Sequence, residues 1–225
     1  MQKLSDAIAA KLADDLGYDK EQQEVLAYGA YAVIQMAVSI ILTAIGGILA
    51  GCAAEALLIS FSASILRKYS GGVHSRSQWV CTSIGLIVCI GIGSIIRYST
   101  IDIEALNLFL LTALAAFGWS YFWIARLAPV DTPNKPIRSP KKRMRMKRGS
   151  LAVLTFYAVA VLVLAWGGWV SADSMYIRFF LSILFGVLWQ TATLTRTGHW
   201  LIHQIDRLQD IKRHRKEEYE NERMD

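Results

Sequence analysis

Two side chains that can carry out covalent chemistry together lie in a short polar stretch of an otherwise apolar chain. His74 and Cys81 are seven positions apart within residues 67–81, and Gly71 and Gly72 come just before the histidine. A thiolate is a strong nucleophile, and a histidine within about 3 Å of the thiol can accept its proton and pass it to a leaving group. The pair raises the hypothesis of a Cys/His dyad, with a surface histidine and a packed cysteine as the alternative.

The residues after the histidine set a geometric condition on this dyad. Ser75 and Gln78 have the spacing of a capping box before an apolar run, so we expect a helix to begin at Ser75. Cys81 would then lie in the second turn, where the helix N-terminus favours a thiolate modestly. Along one continuous helix His74 and Cys81 would be about 10 Å apart. The histidine must therefore fold back from outside the helix, and the preceding glycines give the backbone that freedom.

Long uncharged segments surround this polar stretch and indicate membrane spans. Hydrophobic residues make up 54% of the 225 residues, with a mean hydropathy of +0.34, whereas soluble domains are roughly 45 to 50% apolar. A spanning helix needs about 20 apolar residues. Segments without a charged residue cover 25–54, 79–96, 105–125, 151–172 and 179–195. The composition predicts an all-α polytopic membrane protein, with residues 1–225 as a single integral membrane domain.

The first uncharged segment is too long for one span and too short for two. Gly46 and Gly47 divide it, so we expect a hairpin of two helices that is followed by the loop 67–78. The expected helices are Val25–Ile45, Ile48–Leu66, Trp79–Ile96, a fourth up to Ala125, Leu151–Ala172 and Phe179–Thr195. The prediction is thus six transmembrane helices within residues 25–195, followed by a polar tail over residues 196–225.

The first 24 residues predict an amphipathic helix before the six spans. Leu4, Ile8, Leu12 and Leu16 recur every four residues with charged residues between them, which places them on one helix face. We expect this helix to lie in the membrane interface or against a partner helix. The segment lacks a compact apolar region with a cleavage site, so no cleavable signal peptide is expected.

The basic residues predict the orientation in the membrane. With six spans and a cytoplasmic N-terminus, 22 of the 24 lysines and arginines lie on the cytoplasmic side, and only Arg97 and Arg178 lie outside it. Basic residues accumulate on that side of membrane proteins. Both termini and the His74/Cys81 stretch are therefore expected to be cytoplasmic. The loop 126–150 contains all four prolines, which predicts an extended first half.

The remaining ionisable and thiol groups have simpler interpretations. Three cysteines without a pairing pattern give no disulfide framework, and Cys52 and Cys89 are expected to be packed side chains. His199 and His203 share a helix face but lack a third ligand, so no metal or other cofactor is expected. Acidic residues offset the basic ones in the tail, which disfavours nucleic-acid binding. Glu55 is an ionisable group within an expected span, near its outer end. It is either a hydrated or hydrogen-bonded structural carboxylate at the interface or a functional group, and the second interpretation makes a small transporter or peptide exporter the competing functional class.

Two stretches of the chain resemble one known family. The run Arg67-Lys68-Tyr69-Ser70-Gly71-Gly72-Val73-His74, with Cys81 seven positions on, is similar to the signature of the accessory gene regulator B family. These are bacterial membrane endopeptidases that process quorum-sensing propeptides. The run Ala128-Pro129-Val130-Asp131-Thr132-Pro133-Asn134-Lys135-Pro136 resembles the loop after helix four in that family.

The resemblance implies a cysteine endopeptidase in a bacterial cell membrane. It assigns Cys81 as the nucleophile and His74 as the general base, and it gives Arg67 and Gly72 roles in loop structure or peptide binding. The implied substrate is a small membrane-associated precursor of the accessory gene regulator D type. A cysteine or serine of that precursor is implied to attack the acyl-enzyme and close a thiolactone or lactone ring. The resemblance also implies a homodimer.

Three side chains are candidates to assist the dyad. Gln78 lies on the same helix face as Cys81 and is a candidate oxyanion donor, in competition with its capping role. Asp131 and Asn134 are candidates to orient the imidazole.

Basic residues of the loop after helix four are candidates to bind the substrate. Lys135 lies within the proline-containing motif, and Lys141, Lys142 and Arg143 begin a strongly basic run. This run is either an anchor on anionic lipid or a site for the acidic C-terminal tail that such precursors carry.

Overall fold

The computed structural model describes residues 2–73, 77–100, 106–130 and 139–207, apart from the side chains of Ala32 and Gln78. These residues form α1 (Gln2–Leu16), α2 (Lys20–Leu49), α3 (Ala53–Ser70), α4 (Gln78–Tyr98), α5 (Leu106–Leu127), α6 (Pro140–Ser171) and α7 (Ser174–Ala192). Residues 196–207 are also helical, and the described ranges contain no β-strand. The predicted all-α fold class is confirmed.

Five helices in the described ranges are long and apolar enough to cross a membrane. They are α2, α4 from Trp79, α5, α6 and α7. The sixth expected span corresponds to α3, which has 18 residues and carries Glu55, Arg67 and Lys68. This helix is not one of the candidate spans. The structure thus supports a helical membrane protein, and six spans remain a prediction.

The N-terminal segment folds as a helical hairpin, which corrects the expectation of one helix over residues 1–24. α1 ends at Leu16, and Gly17 follows with a φ of 65°, a left-handed conformation typical of helix ends. α2 then begins at Lys20, where Asp19 and Gln22 form a capping box. The last residues of the expected helix therefore belong to α2.

α1 turns a face of small residues toward α2. Ser5, Ala9 and Ala13 are buried on this face, and small side chains let two helix backbones approach closely. The apolar stripe of α1 remains exposed, at Leu4, Ile8, Leu12 and Leu16. Its placement in the membrane interface stays a prediction.

The turn between α2 and α3 is centred on Gly51, so the predicted division at Gly46 and Gly47 is wrong. Gly51 has a φ of 67°, and the Cys52 N–H donates to Gly47 O at 2.8 Å. These are features of a Schellman motif, which ends a helix with a left-handed glycine. Gly47 serves packing instead, because a Cβ there would lie 2.8 Å from Ala53 Cα.

Two later helices begin earlier than predicted. α6 begins at Pro140, not at Leu151, because proline suits the first helical position, where no N–H donor is needed. α7 begins at Ser174, not at Phe179, because the Asp173 side chain caps it by accepting from Met175 N at 2.8 Å. The basic run after residue 140 is therefore helical.

α3 is the central helix of the bundle and contacts α2, α4, α6 and α7. A Cβ at Gly186 of α7 would lie 2.7 Å from Ile59 O, so the two backbones approach closely. Beside this contact lies a buried cluster that includes Leu66, Phe180 and Val187. Close packing at small residues is what joins helices in a bilayer. It brings the C-terminal ends of α3 and α7 together at one end of the bundle, which we call the site end.

Candidate active site

α3 ends inside the predicted catalytic stretch, and a glycine sets this end. Arg67 and Ser70, expected in the loop 67–78, lie in the last turn of the helix. Gly71 has a φ of 71°, and its N–H donates to Arg67 O at 2.9 Å. Because a residue with a side chain is strained in this conformation, the glycine closes the helix here.

The segment after α5 pairs with the segment after α3. Gly71 and Val130 form an isolated parallel bridge, and the Val130 N–H donates to Ser70 O at 2.9 Å. A Cβ on Gly71 would collide with Val130 O. The two stretches that resemble the family motifs therefore meet at this point, and Asp131 is covalently attached to the paired residue.

The end of α7 holds the same backbone through Gln190, which is fully buried. The Gln190 side-chain Nε2 donates to Gly71 O at 2.7 Å and to Ser70 Oγ at 3.0 Å. Just beyond α7, Thr193 O accepts the Val73 N–H at 3.3 Å. The backbone from Ser70 to Val73 is thus fixed against α7.

Gly72 lies directly against these α7 residues. It has a φ of 147°, and a Cβ added to it would lie 3.0 Å from Thr193 Oγ1 and 3.3 Å from Gln190 Nε2. No side chain fits between the loop and α7 without displacing one of them. The predicted importance of Gly72 therefore has a packing reason at this site.

Arg67 reaches over the same loop. Its Nη2 donates to Val73 O in a short hydrogen bond, while its Nε is buried without a hydrogen-bond partner among the described residues. Of the two roles expected for Arg67, loop structure and peptide binding, the first has a contact in the structure.

Cys81 lies in the first turn of α4 as a half-buried free thiol. The helix begins at Gln78, with Ser77 as the N-cap residue, so the predicted start at Ser75 is wrong. The Cys81 N–H donates to Ser77 O at 3.3 Å. Cys81 is thus closer to the helix N-terminus than expected, and the helix field acts on it more directly, since that field fades beyond the first turn. Cys52 and Cys89 are buried as predicted.

Several predicted site residues lie outside the described residues. They are His74, Asp131, Asn134 and Lys135, together with the side chain of Gln78. His74 is nevertheless bonded directly to Val73, whose N–H and C=O both have hydrogen-bond partners. Its point of attachment is therefore well defined.

The basic run forms the exposed start of α6, next to the end of α3. Lys141, Lys142 and Arg143 are exposed, and the first turn contains no acidic residue. Further along α6, a Cβ at Gly149 would lie 2.5 Å from the Tyr69 ring, so the two helices touch closely. The cations lie at a helix N-terminus, where unpaired N–H groups add a partial positive charge. This surface is suited to an anion.

A second polar cluster lies at the opposite end of the bundle, which we call the far end. Glu55 is buried and pairs with Arg178 at 3.6 Å and Arg97 at 3.8 Å. The Tyr98 hydroxyl donates to Ala50 O at 2.9 Å and closes the same end. The carboxylate that suggested a transport path is therefore an ion-pair partner in the structure.

The histidine pair lies in the helical stretch 196–207. His199 is half-buried and His203 is exposed. Burial lowers the pKa of His199, and the nearby His203 lowers it further. Within the described ranges, no group of three or more histidine, cysteine, aspartate or glutamate side chains has the arrangement of a metal site.

Sequence reasoning missed Gln190 and Thr193. A usable signal was present, because Gln190 is an amide side chain inside an uncharged membrane segment. Burying an amide is unfavourable unless it forms hydrogen bonds. Such a residue is therefore expected to have a polar partner, although its sequence position does not identify which one.

Fold and site together define a helical membrane protein in which a loop ahead of a half-buried cysteine is fixed to the end of α7. The family model described as accessory gene regulator B matches residues 5–194. Two AgrB-like proteins of Clostridium perfringens, from strains 13 and SM101, are 43% and 42% identical over 210 residues, covering 92% of this chain and 96% of each relative. An AgrB-like protein of Lactiplantibacillus plantarum is 24% identical over 151 residues, covering 67% of this chain and 72% of that protein. No solved structure gives a significant match.

The chain therefore belongs to the accessory gene regulator B family. Membership confirms the resemblance of the two motif stretches and implies a role in autoinducing-peptide processing.

Proposed function

We propose that this protein is a membrane cysteine endopeptidase that removes the C-terminal tail of a small autoinducing-peptide precursor and promotes cyclisation of the remainder. The observation that carries the proposal is that the segment after α3 is attached to the end of α7 and to Val130 at the site end. The backbone leading into His74 is hydrogen-bonded to α7 and paired with Val130, and Cys81 follows in the first turn of α4. A base on a fixed backbone, together with a thiol near a helix N-terminus, suits acyl transfer once the two groups meet.

In the proposed first step, His74 accepts the thiol proton of Cys81 and the thiolate attacks a precursor carbonyl carbon. The scissile C–N bond then breaks, and the imidazolium returns the proton to the departing amine of the tail. An acyl-thioester remains on Cys81. Gln78 is proposed as an oxyanion donor, and Asp131 and Asn134 as groups that orient the imidazole.

In the proposed second step, a cysteine or serine of the bound precursor attacks the thioester carbonyl. His74 accepts the thiol or hydroxyl proton of the attacking residue as a thiolactone or lactone forms. The S–C bond to Cys81 breaks, and the released thiolate takes that proton back from the imidazolium. Exchange of one thioester for another keeps the bond type, whereas water would hydrolyse the intermediate. A site at the membrane interface limits that loss by excluding water.

The start of α6 is proposed to hold the acidic tail of the precursor. Lys141, Lys142 and Arg143 are exposed there, and the first turn itself contains no acidic residue. Lys135, in the connecting segment, is proposed to contribute. The same cations would also contact anionic lipid, and the experiment on tail charge below separates the two roles.

The proposed setting is a bacterial cell membrane crossed six times, with α3 as the sixth span. Both termini, the catalytic loop and the start of α6 are proposed to face the cytoplasm, in agreement with the distribution of basic residues. We propose a homodimer and no cofactor, with the whole chain acting as one integral membrane domain. Crosslinking in native membranes tests the dimer.

The decisive experiment replaces the proposed nucleophile and base. The enzyme is co-expressed with a synthetic precursor peptide that has an amphipathic start, a central cysteine or serine and an acidic end. We expect C81A and H74A to abolish tail release, measured by mass spectrometry, while membrane insertion is unchanged. C89A is the matched control, because Cys89 lies on the same helix but is buried, and it should keep full activity. Normal cleavage by C81A would refute the peptidase and favour a non-enzymatic transporter.

A second experiment tests the basic helix start. Changing Lys141, Lys142 and Arg143 together to glutamine should raise KM about 10-fold or more for a precursor with an acidic tail. The same change should have little effect on a precursor with a neutralised tail. The control changes three exposed lysines elsewhere, at Lys3, Lys11 and Lys20, and should alter neither KM. Equal losses for both precursors would assign the basic run to lipid contact.

A further inference from the structure

The end of α7 contains a buried amide that the proposed chemistry does not use and whose contacts all go to one place. Gln190 is fully buried, and its Nε2 donates to Ser70 Oγ at the end of α3 and to Gly71 O at the start of the loop that leads into His74. We propose that Gln190 is the positioning residue of the dyad, holding the backbone ahead of His74 so that the imidazole meets the Cys81 thiol. This inference rests on the proposed function.

The orientation of the Gln190 amide follows from its neighbours. Gly71 O can only accept a hydrogen bond, and the Ser70 hydroxyl already donates to Leu66 O at 3.0 Å. Both contacts therefore require the NH₂ group, which uses its two hydrogens on them. The Oε1 atom, in contrast, is buried without a hydrogen-bond partner among the described residues. The NH₂ group of this amide is therefore hydrogen-bonded to Ser70 and Gly71, and its oxygen is not.

This asymmetry argues against a role in stability alone. A buried carbonyl without a partner is unfavourable, so the loss of Oε1 in a leucine variant offsets part of the cost of leaving Gly71 O without its amide donor. A leucine at position 190 would remove the unpaired Oε1 and still fill the space. It would also release Gly71 O and Ser70 Oγ from α7. Glutamine differs from leucine here mainly through the hydrogen bonds that it donates to Ser70 Oγ and Gly71 O.

Only two residues separate the hydrogen-bonded Gly71 from His74 along the chain. From Gly71 two residues lead to Val73, whose N–H donates to Thr193 O on the same α7 terminus. Gly72, between them, packs against Gln190 Nε2 and Thr193 Oγ1. The loop from Gly71 to Val73 is therefore held at the α7 terminus directly before the residue that bears the imidazole. A displacement of about 1 Å at a catalytic group lowers turnover by about 100-fold.

The test uses the full-length protein in membranes and two measurements on Q190L. We expect kcat for tail release to fall about 100-fold while KM changes less than about twofold. The second measurement needs no substrate. The rate of Cys81 alkylation by iodoacetamide at neutral pH reports the thiolate, and it should fall in Q190L to the value of H74A. The double variant Q190L/H74A should be no slower than H74A alone.

Control and companion variants keep the result interpretable. T191V removes a buried hydroxyl one residue away that donates only to Val187 O of its own helix at 2.8 Å, and it should match the wild type. If Q190L does not fold, G72A disturbs the same contact from the loop side, because its Cβ would lie 3.0 Å from Thr193 Oγ1, and the same two losses are expected. An amount of folded protein that falls in proportion to activity would instead show a structural role and overturn the inference.

The outcomes separate this inference from the function on which it rests. If H74A slows alkylation and cleavage but Q190L and G72A do not, the dyad stands and the positioning role of Gln190 is wrong. If H74A leaves both rates unchanged, the dyad itself is wrong and both proposals fail together.

Discussion

The two ends of the helix bundle use buried polar groups in different ways. At the far end, Glu55 forms ion pairs with two arginine side chains from other helices, at 3.6 and 3.8 Å. At the site end, Gln190 donates to the hydroxyl of Ser70, the last residue of α3, and to Gly71 O in the segment that follows. The contacts of Glu55 join side chains to one another. The contacts of Gln190 include a backbone carbonyl in the segment that continues into His74. We infer that the ion pairs of Glu55 stabilise the packing of the helices, whereas the hydrogen bonds of Gln190 position the proposed catalytic loop.

The far end also accounts for the two exceptions in the charge distribution. Arg97 and Arg178 are the basic residues that fall outside the predicted cytoplasmic set, and both pair with Glu55. Charged groups at membrane depth are stabilised by a partner of opposite sign. The carboxylate thus has a structural explanation that requires no transport path.

α3 connects the two ends, since it carries Glu55 in its first turn and Ser70 as its last residue. Changes at either end can therefore be compared on one helix. Those at the site end should reduce catalysis, and those at the far end should reduce stability.

The largest effect is expected at the site end, from G71A. The added Cβ would collide with Val130 O, and alanine is strained at a φ of 71°. The loop must then separate from Val130, so kcat for tail release should fall about 100-fold. The control is G85A in α4, where a Cβ meets nothing within 4 Å, and it should keep wild-type activity. Unchanged activity in G71A would show that the pairing with Val130 does not position the dyad.

The second prediction concerns the far end. E55Q should lower the free energy of unfolding by about 2 kcal/mol, measured by SDS titration in detergent micelles, while kcat of the folded enzyme stays unchanged. Fully buried pairs lose about 3 to 5 kcal/mol on such a change, but Arg97 is 42% exposed here and retains hydration.

A double variant checks that the loss comes from unpaired charge. E55L/R178L removes the carboxylate together with its less exposed partner and should recover most of the stability lost in E55Q. A loss of kcat in folded E55Q would contradict the division of roles between the two ends and would reopen the transport hypothesis.

Helix number and chemistry were predictable from the sequence to different degrees. Hydropathy predicts the apolar helices because a span needs length and composition alone, but it misplaced the α2–α3 turn. Gly46, Gly47 and Gly51 look alike in sequence, and only Gly51 has a left-handed φ. The helix start was misplaced for a similar reason, since both Ser75 and Ser77 precede the apolar run and the structure uses Ser77. Local patterns identify the helices, while tertiary packing decides their ends.

The sequence was enough to propose the reactive residues of the site, but it did not identify the residues that position the loop. His74 and Cys81 are reactive residue types at close spacing, so the sequence alone raises the dyad. The groups that hold the loop come from Val130 and Gln190, which are far away in sequence and approach the end of α3 only in the folded bundle. No local pattern links a glutamine in the last predicted span to a glycine more than a hundred residues earlier.

The smallest effect is expected next to the site end, from pH. Burial, together with the charge of His203, lowers the pKa of His199 in the folded state below its usual value near 6.5. The unfolded chain then binds the proton more readily. The contribution of this histidine to stability is complete above about pH 6.5 and is lost as the pH falls below that value. We therefore expect the midpoint of thermal unfolding to decrease between pH 7.5 and 5.5, and to decrease less in H199Q.

His203 is exposed, so H203Q removes only the charge contribution and should give an intermediate slope. Because residues 196–207 directly follow the turn whose Thr193 O holds Val73, acid that loosens this helix should also slow cleavage. Equal pH slopes for wild type and H199Q would show that His199 does not couple to folding at this end.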